Sequence, residues 1–146
     1  MEVKIFRVDR ALPLPKFESA GAAAFDLLAR ENCSVAPRAL ARIPANVILQ
    51  CPENLALFLL PRSSLFAKKK LIFPHSIGLI DRDFCGPRDE IQIQVLNFSD
   101  EKVEIFRGEK LAQAIFLRTE KINFREIFEI KKNSRGGFGS TDKKNF

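Results

Sequence analysis

Ile91-Gln92-Ile93-Gln94-Val95 alternates apolar and polar residues without a break, so on an extended backbone its three apolar side chains share one face. This is the pattern of a strand with one buried side. Outward from it, short apolar runs recur between turn signals while helical periodicity is scarce. Residues 3–8, 46–50, 55–60, 91–96, 103–106, 111–117 and 126–130 read as strands. The eight prolines sit mostly between these runs, where a missing amide donor costs no ladder hydrogen bond. So many short strands in a chain of 146 residues predict an all-β sandwich or jelly roll. One helical turn is expected after Pro61, over residues 63 to about 68.

At this length the chain makes one domain with a proper core, and no linker or internal repeat interrupts it. Its apolar runs are far too short to cross a bilayer, and Met1-Glu2-Val3-Lys4 opens no secretory core, so a soluble, cytoplasmic protein is expected, with no membrane partner. Cys33, Cys51 and Cys85 are odd in number and lack a C-x-x-C spacing, which argues for reduced thiols over a disulfide framework or a zinc site. A net charge of +6 points to an anionic partner, either a polyanion or a small phosphorylated ligand. Lys68-Lys69-Lys70, Lys131-Lys132 and Lys143-Lys144 are scattered runs that form no stripe, and no nucleic-acid motif accompanies them. The ligand reading is therefore preferred, with no nucleic acid.

Five segments carry chemistry. Pro61-Arg62-Ser63-Ser64-Leu65 places a cation, two hydroxyls and backbone amides where a strand gives way to a turn. That suits a phosphate cradle, the alternative being a Ser N-cap beside a surface Arg. Gly78-Leu79-Ile80-Asp81-Arg82-Asp83-Phe84 sets two acids one residue apart after a strand-like run. If the strand persists both carboxylates share a side, and one could take a proton from an attacking water; paired acids also cap turns. Ala24-Phe25-Asp26-Leu27-Leu28-Ala29 buries an acid that must be paired, most commonly with Arg, hydrogen-bonded or close to a metal. Arg107-Gly108-Glu109-Lys110-Leu111-Ala112-Gln113 starts as a turn and continues as a strand that carries Gln113 inward. Gly136-Gly137-Phe138-Gly139-Ser140-Thr141 has the make-up of an arm that closes on a nucleotide triphosphate, or of a frayed tail.

In this order the five segments resemble the five motifs of the trimeric dUTP diphosphatases, the dUTPases, over residues 20–141. The resemblance implies a jelly-roll homotrimer whose active sites are each assembled from all three subunits, with a β domain over residues 1–132 and a closing arm over 133–146. It implies Mg²⁺-dependent hydrolysis of dUTP to dUMP and pyrophosphate, which keeps uracil out of DNA and supplies dUMP for thymidylate synthesis. Asp81 is then the general base, while Arg62, Ser63, Ser64 and Gln113 hold phosphates and Asp26 lies near Mg²⁺ through water. The hairpin of His75, Gly78, Leu79 and Ile80 reads uracil, Phe84 stacks under the deoxyribose, and Phe138 covers the base. Arg135, Gly139, Ser140 and Thr141 serve the distal phosphates. The sequence departs from the family pattern at Phe84 (usually Tyr), at His75 (often Asn), in a longer loop over residues 86–91, and in an arm where Arg135 directly precedes Gly136.

A dCTP deaminase resembles the same segments, but its catalytic Glu falls where this chain has Gln94, three residues before Asn97, and an amide cannot shuttle the proton. A non-catalytic dUTPase-like nucleotide-binding regulatory protein is the rival from another class. It would lose the base or the arm, whereas Asp81, Gln113 and Phe138 are all present.

Overall fold

The computed structural model describes residues 2–134 and 136. Among them the chain forms eleven strands and one short helix, in the order β1 (Lys4–Arg7), β2 (Phe25–Leu28), β3 (Cys33–Val35), β4 (Leu40–Pro44), β5 (Val47–Gln50), β6 (Leu55–Pro61), α1 (Leu65–Lys69), β7 (Leu71–Ile72), β8 (Gly78–Ile80), β9 (Gln92–Asn97), β10 (Val103–Ile105) and β11 (Lys110–Arg118). The all-β expectation holds. Strands β2, β3, β4 and β7 escape the sequence pattern because they are two to five residues long, and in β2 three consecutive residues are buried, which erases the alternation. No strand forms over residues 126–130; Ile127, Phe128 and Ile130 lie exposed there, with Phe128 94% accessible.

The strands make antiparallel sheets ordered β2-β11-β6-β8 and β4-β9-β7, with two-stranded pairs β1-β5 and β10-β3. In β9 the alternation reads out as expected: Ile91, Ile93 and Val95 are at most 1% exposed, and Gln92 points to solvent. They pack with Leu27, Ile43, Leu57, Leu59, Leu71 and Leu111 in one continuous core. Helix α1 begins at Leu65, later than expected, and stops at Lys70, whose left-handed φ of 55° turns the chain into β7.

Two polar knots tie the sheets together. Asn97 continues the inward face of β9 but carries an amide, and it is fully buried. Its Nδ2 lies 3.1 Å from the carbonyls of Val35 and Ala36 and 2.7 Å from that of Glu101, while Oδ1 accepts from the Ser99 amide and hydroxyl. At the N-terminus, Asp9 exchanges backbone-to-side-chain hydrogen bonds with Asn46, and its carboxylate accepts from Arg107 Nη2 at 2.6 Å. The longer loop over residues 86–91 closes on itself: the Gly86 amide donates to Asp89 Oδ2 at 2.7 Å, and Glu90 accepts from Arg30 Nε and the Asn46 amide.

Replacing Asn97 by Ala empties a fully buried position and removes its hydrogen bonds to the buried Val35 carbonyl and the part-buried carbonyls of Ala36 and Glu101, and we expect it to cost roughly 2–3 kcal/mol. Urea unfolding at fixed protein concentration reads this as a lower midpoint, and an unchanged midpoint would contradict the knot. Asp9 gives a pH signature. The Arg107 hydrogen bond holds its carboxyl below the ordinary range, so its stabilisation is present above about pH 4 and is lost as pH falls through the lowered value. Thermal midpoints taken from pH 6 downward should fall less steeply in Asp9→Asn than in the parent.

Candidate active site

An extra residue in β11 builds the site. Pairing with β2 sets Gln113 opposite Asp26 and Ala112 opposite Leu27, yet Lys110, two residues from Ala112, stands opposite Leu28, one residue from Leu27. Leu111 is therefore a bulge residue, and it is buried together with Ala112. Strict alternation would turn Lys110 and Gln113 to opposite faces; the bulge restores both to the face of Asp26. On this face Asp26, Gln113 and Leu60 form one row across β2, β11 and β6. Gln113 is thus half-buried on the site face and does not point into the core, and its Nε2 donates to the Pro61 carbonyl at 3.2 Å.

Asp26 is buried and paired, as a carboxylate in an apolar run must be. Arg62 Nε lies 3.0 Å from Oδ1 and Lys110 Nζ 3.0 Å from Oδ2. Lys110 also reaches Glu18 at 2.7 Å, which extends the charges into a line: Glu18, Lys110, Asp26, Arg62. Hydrogen bonds to Glu18 and then Asp26 push the Lys110 ammonium above its ordinary value, and the same bond holds the Glu18 carboxyl below its own. Sequence reading missed both partners. Glu18 precedes every recognised segment, and Lys110 acquires its position only through the bulge.

A Mg²⁺ ion fits here in one way. Among the described residues no group of three His, Cys, Asp or Glu side chains converges, and each Asp26 oxygen already accepts one cationic donor. A carboxylate oxygen so engaged retains a lone pair for a metal-bound water, which suits an ion held chiefly by ligand phosphates.

The turn after β6 carries a guanidinium and two hydroxyls, at Arg62, Ser63 and Ser64. Ser64 stands at the N-cap position of α1 with φ −87° and ψ −7°, and its hydroxyl makes no capping bond. The plain N-cap reading fails, and the hydroxyl stays available to a ligand. Arg62, Ser64, Lys68 and Lys110 line one cavity.

The hairpin lies elsewhere. β8 pairs with β6 through Leu59–Gly78, Phe58–Leu79 and Leu57–Ile80, and Ser76 at its tip adopts a left-handed φ of 63°. His75 is exposed and stacks on Phe73 at 5.7 Å, with Nε2 3.3 Å from where a Cβ on Gly78 would lie. That added Cβ would also stand 3.1 Å from Leu59 Cβ, so only glycine lets β8 and His75 close in together. The strand ends at Ile80, and Asp81, Asp83 and Phe84 follow in an exposed turn where the Phe84 amide donates to the Asp81 carbonyl. Since Ile80 faces Leu57 while Arg62 follows Pro61, four residues of β6, about 13 Å of strand, separate the hairpin's end from the phosphate turn. Asp81 lines a different cavity, with Phe58 and Leu79. One copy brings Asp26, Arg62, Ser64 and Gln113 together and leaves Asp81 and Phe84 apart from them. Arg135, Phe138, Gly139, Ser140 and Thr141 lie outside the described residues.

The chain is similar to known proteins in sequence and in fold. A model of the dUTPase family matches residues 10–142. The deoxyuridine 5'-triphosphate nucleotidohydrolase of Streptomyces avermitilis is 35% identical over 144 residues, 97% of this chain and 81% of that protein. The crystal structure of dUTPase from Streptococcus mutans superposes with a TM-score of 0.77 at 30% identity, covering 85% of this chain and all of that one. At 18% identity, a mutant dUTPase from phage phi11 of S. aureus, which coordinates a structural Mg(II) ion, shares the fold with a TM-score of 0.80 over 90% of this chain and all of its own. With its motif residues set on this β scaffold, the chain belongs to the dUTPase family.

Proposed function

We propose that this chain hydrolyses dUTP to dUMP and pyrophosphate. The observation that carries the reading is the bulge-built face on which Asp26, Gln113 and Lys110 stand beside Arg62 and an uncapped Ser64. Arg62, Ser63, Ser64 and Gln113 hold the triphosphate. The guanidinium that pairs with Asp26 in the free protein is already aimed at that face, so little rotamer freedom is lost when phosphate arrives. A Mg²⁺ ion would be held chiefly by the ligand's own phosphates with Asp26 nearby through water, and would supply charge neutralisation there.

Asp81 takes a proton from a water, whose oxygen forms a bond to the α-phosphorus in line as the bond from that phosphorus to the bridging oxygen breaks. Pyrophosphate leaves with that electron pair. The backbone of the hairpin from His75 through Gly78, Leu79 and Ile80 reads uracil and leaves little room for a 5-methyl group, and Phe84 stacks under the sugar. Residues 133–146 form the closing arm, with Phe138 over the base and Arg135, Gly139, Ser140 and Thr141 at the distal phosphates.

The site is shared within a homotrimer. Two observations support this: the separation of Asp81 from Arg62 along β6, which no single copy bridges, and the exposed Ile122, Phe124, Ile127 and Phe128, apolar residues that a neighbouring copy would cover.

Two variants test the assignment. Asp81→Asn should keep assembly and nucleotide binding but lower kcat by at least 10²-fold; a variant as active as the parent removes Asp81 from the role of base. Truncation after Lys132 should preserve the fold and abolish most turnover, and unchanged kinetics would remove the arm from the mechanism. Both are read by following pyrophosphate and ammonia separately from each deoxynucleoside triphosphate. Ammonia from dCTP would identify a deaminase instead.

A further inference from the structure

The cavity beside the Arg62 turn holds more charge than the phosphate-binding set above uses. Arg62, Lys68, Lys69 and Lys110 line it together with one acid, Glu109. Three of the cations are committed: Arg62 to Asp26, Lys110 to Asp26 and Glu18, and Lys69 to Glu109 at 2.8 Å and to the Glu104 carbonyl at 2.6 Å. Lys68 is exposed and enters no ion pair among the described residues. Its amide donates to the Ser64 carbonyl at 3.0 Å, which puts it one helical turn beyond Ser64 on the same side of α1. Side chains on a helix lean toward its N-terminus, so the Lys68 stem is directed back toward the uncapped Ser64 hydroxyl.

We propose that Lys68 is a further substrate-binding residue, its ammonium engaging the phosphates that leave as pyrophosphate. This rests on the reading that Arg62 and Ser64 hold the triphosphate. The α-phosphorus must face the water held by Asp81, so the leaving end of the chain is the part turned toward α1. A lysine suits that end, because a point charge on a flexible stem follows a departing group without demanding one geometry.

The probes are inorganic pyrophosphate and dUMP, titrated calorimetrically in the presence of Mg²⁺ against the full chain, Lys68→Gln, Lys68→Arg and Lys70→Gln. Lys70 lies on the same basic run with its ammonium over the Phe66 ring, and it serves as the charge-matched control. Losing a charge-assisted hydrogen bond should weaken pyrophosphate binding about tenfold in Lys68→Gln. Binding of dUMP should not change, Lys68→Arg should recover most of the affinity, and Lys70→Gln should match the parent. In turnover, KM for dUTP should rise about tenfold while kcat moves less than twofold. Pyrophosphate affinity in Lys68→Gln within twofold of the parent overturns the proposal, as does an equal loss in Lys70→Gln, which would make the effect one of net charge. A parent that hydrolyses dUTP while Lys68→Gln binds normally sinks only the Lys68 role; a parent that neither hydrolyses dUTP nor binds pyrophosphate sinks the phosphate-site reading beneath it.

Discussion

The insertion of one residue, Leu111, into β11 keeps two incompatible demands in phase. The strand must send Ala112 and Ala114 into the core, both fully buried, and it must present Lys110 and Gln113 to the same outer face. Alternation alone grants only one of these, because positions three apart fall on opposite sides of a regular strand. With the bulge, Leu111 and Ala112 both turn inward and Lys110 comes round to meet Asp26. Were the strand regular through these residues, Leu111 would turn outward and the Lys110 ammonium inward. Core and site therefore depend on a single irregularity: of the two ion pairs of Asp26, the one with Lys110 exists because of it, while the one with Arg62 comes from the turn after β6.

Those ion pairs differ from surface pairs in what they do. Asp26 is buried and its two cations are half-exposed, so desolvation is confined to one carboxylate that receives a donor on each oxygen. The arrangement contributes position more than stability. Arg62 Nε is pinned to Oδ1, which leaves the remaining guanidinium hydrogens directed to other acceptors. An anion arriving on that face meets a cation already oriented and a serine hydroxyl not consumed by the helix. Preorganisation of this kind is where a phosphate-transfer site gains most, since the protein does little covalent work.

How much of this was legible in the sequence follows from the range of each signal. The alternation over residues 91–95 spans enough positions to declare a strand, and the core positions Ile91, Ile93 and Val95 follow directly. β7 has two residues and β2 hides its acid among buried neighbours, so neither offers a period to read. Residues 126–130, with Ile127, Phe128 and Ile130 apolar, have the composition of a strand but find no pairing partner in one chain, which is why pattern predicted what pairing did not supply. Asp26, Arg62 and Gln113 could be named as chemistry because a buried acid and a basic, hydroxyl-rich turn are local facts. The inward direction expected for Gln113 was wrong because a bulge shifts register without any residue announcing it. Lys110 was missed because of that bulge, and Glu18 because its pairing with Lys110 joins segments distant in sequence.

The separation of Asp81 from Arg62 along β6 bears on why such a site belongs to an assembly. β8 is antiparallel to β6, so the end of β8 that delivers Asp81 lies beside the start of β6, while the phosphate turn lies beyond its end. With the roles proposed above, a water poised by Asp81 and a phosphorus held by Arg62 would meet where the hairpin end of one copy faces the turn of another. On that reading each copy would be incomplete at both ends of β6 and would be completed there by its neighbours. Any closed symmetry that sets the hairpin end of each copy on the turn of another satisfies every such half-site at once, and the proposed trimer is one such closure. On the proposed reading hydrolysis is a property of the assembled protein, because a chain that folds alone keeps Asp81 and Arg62 apart.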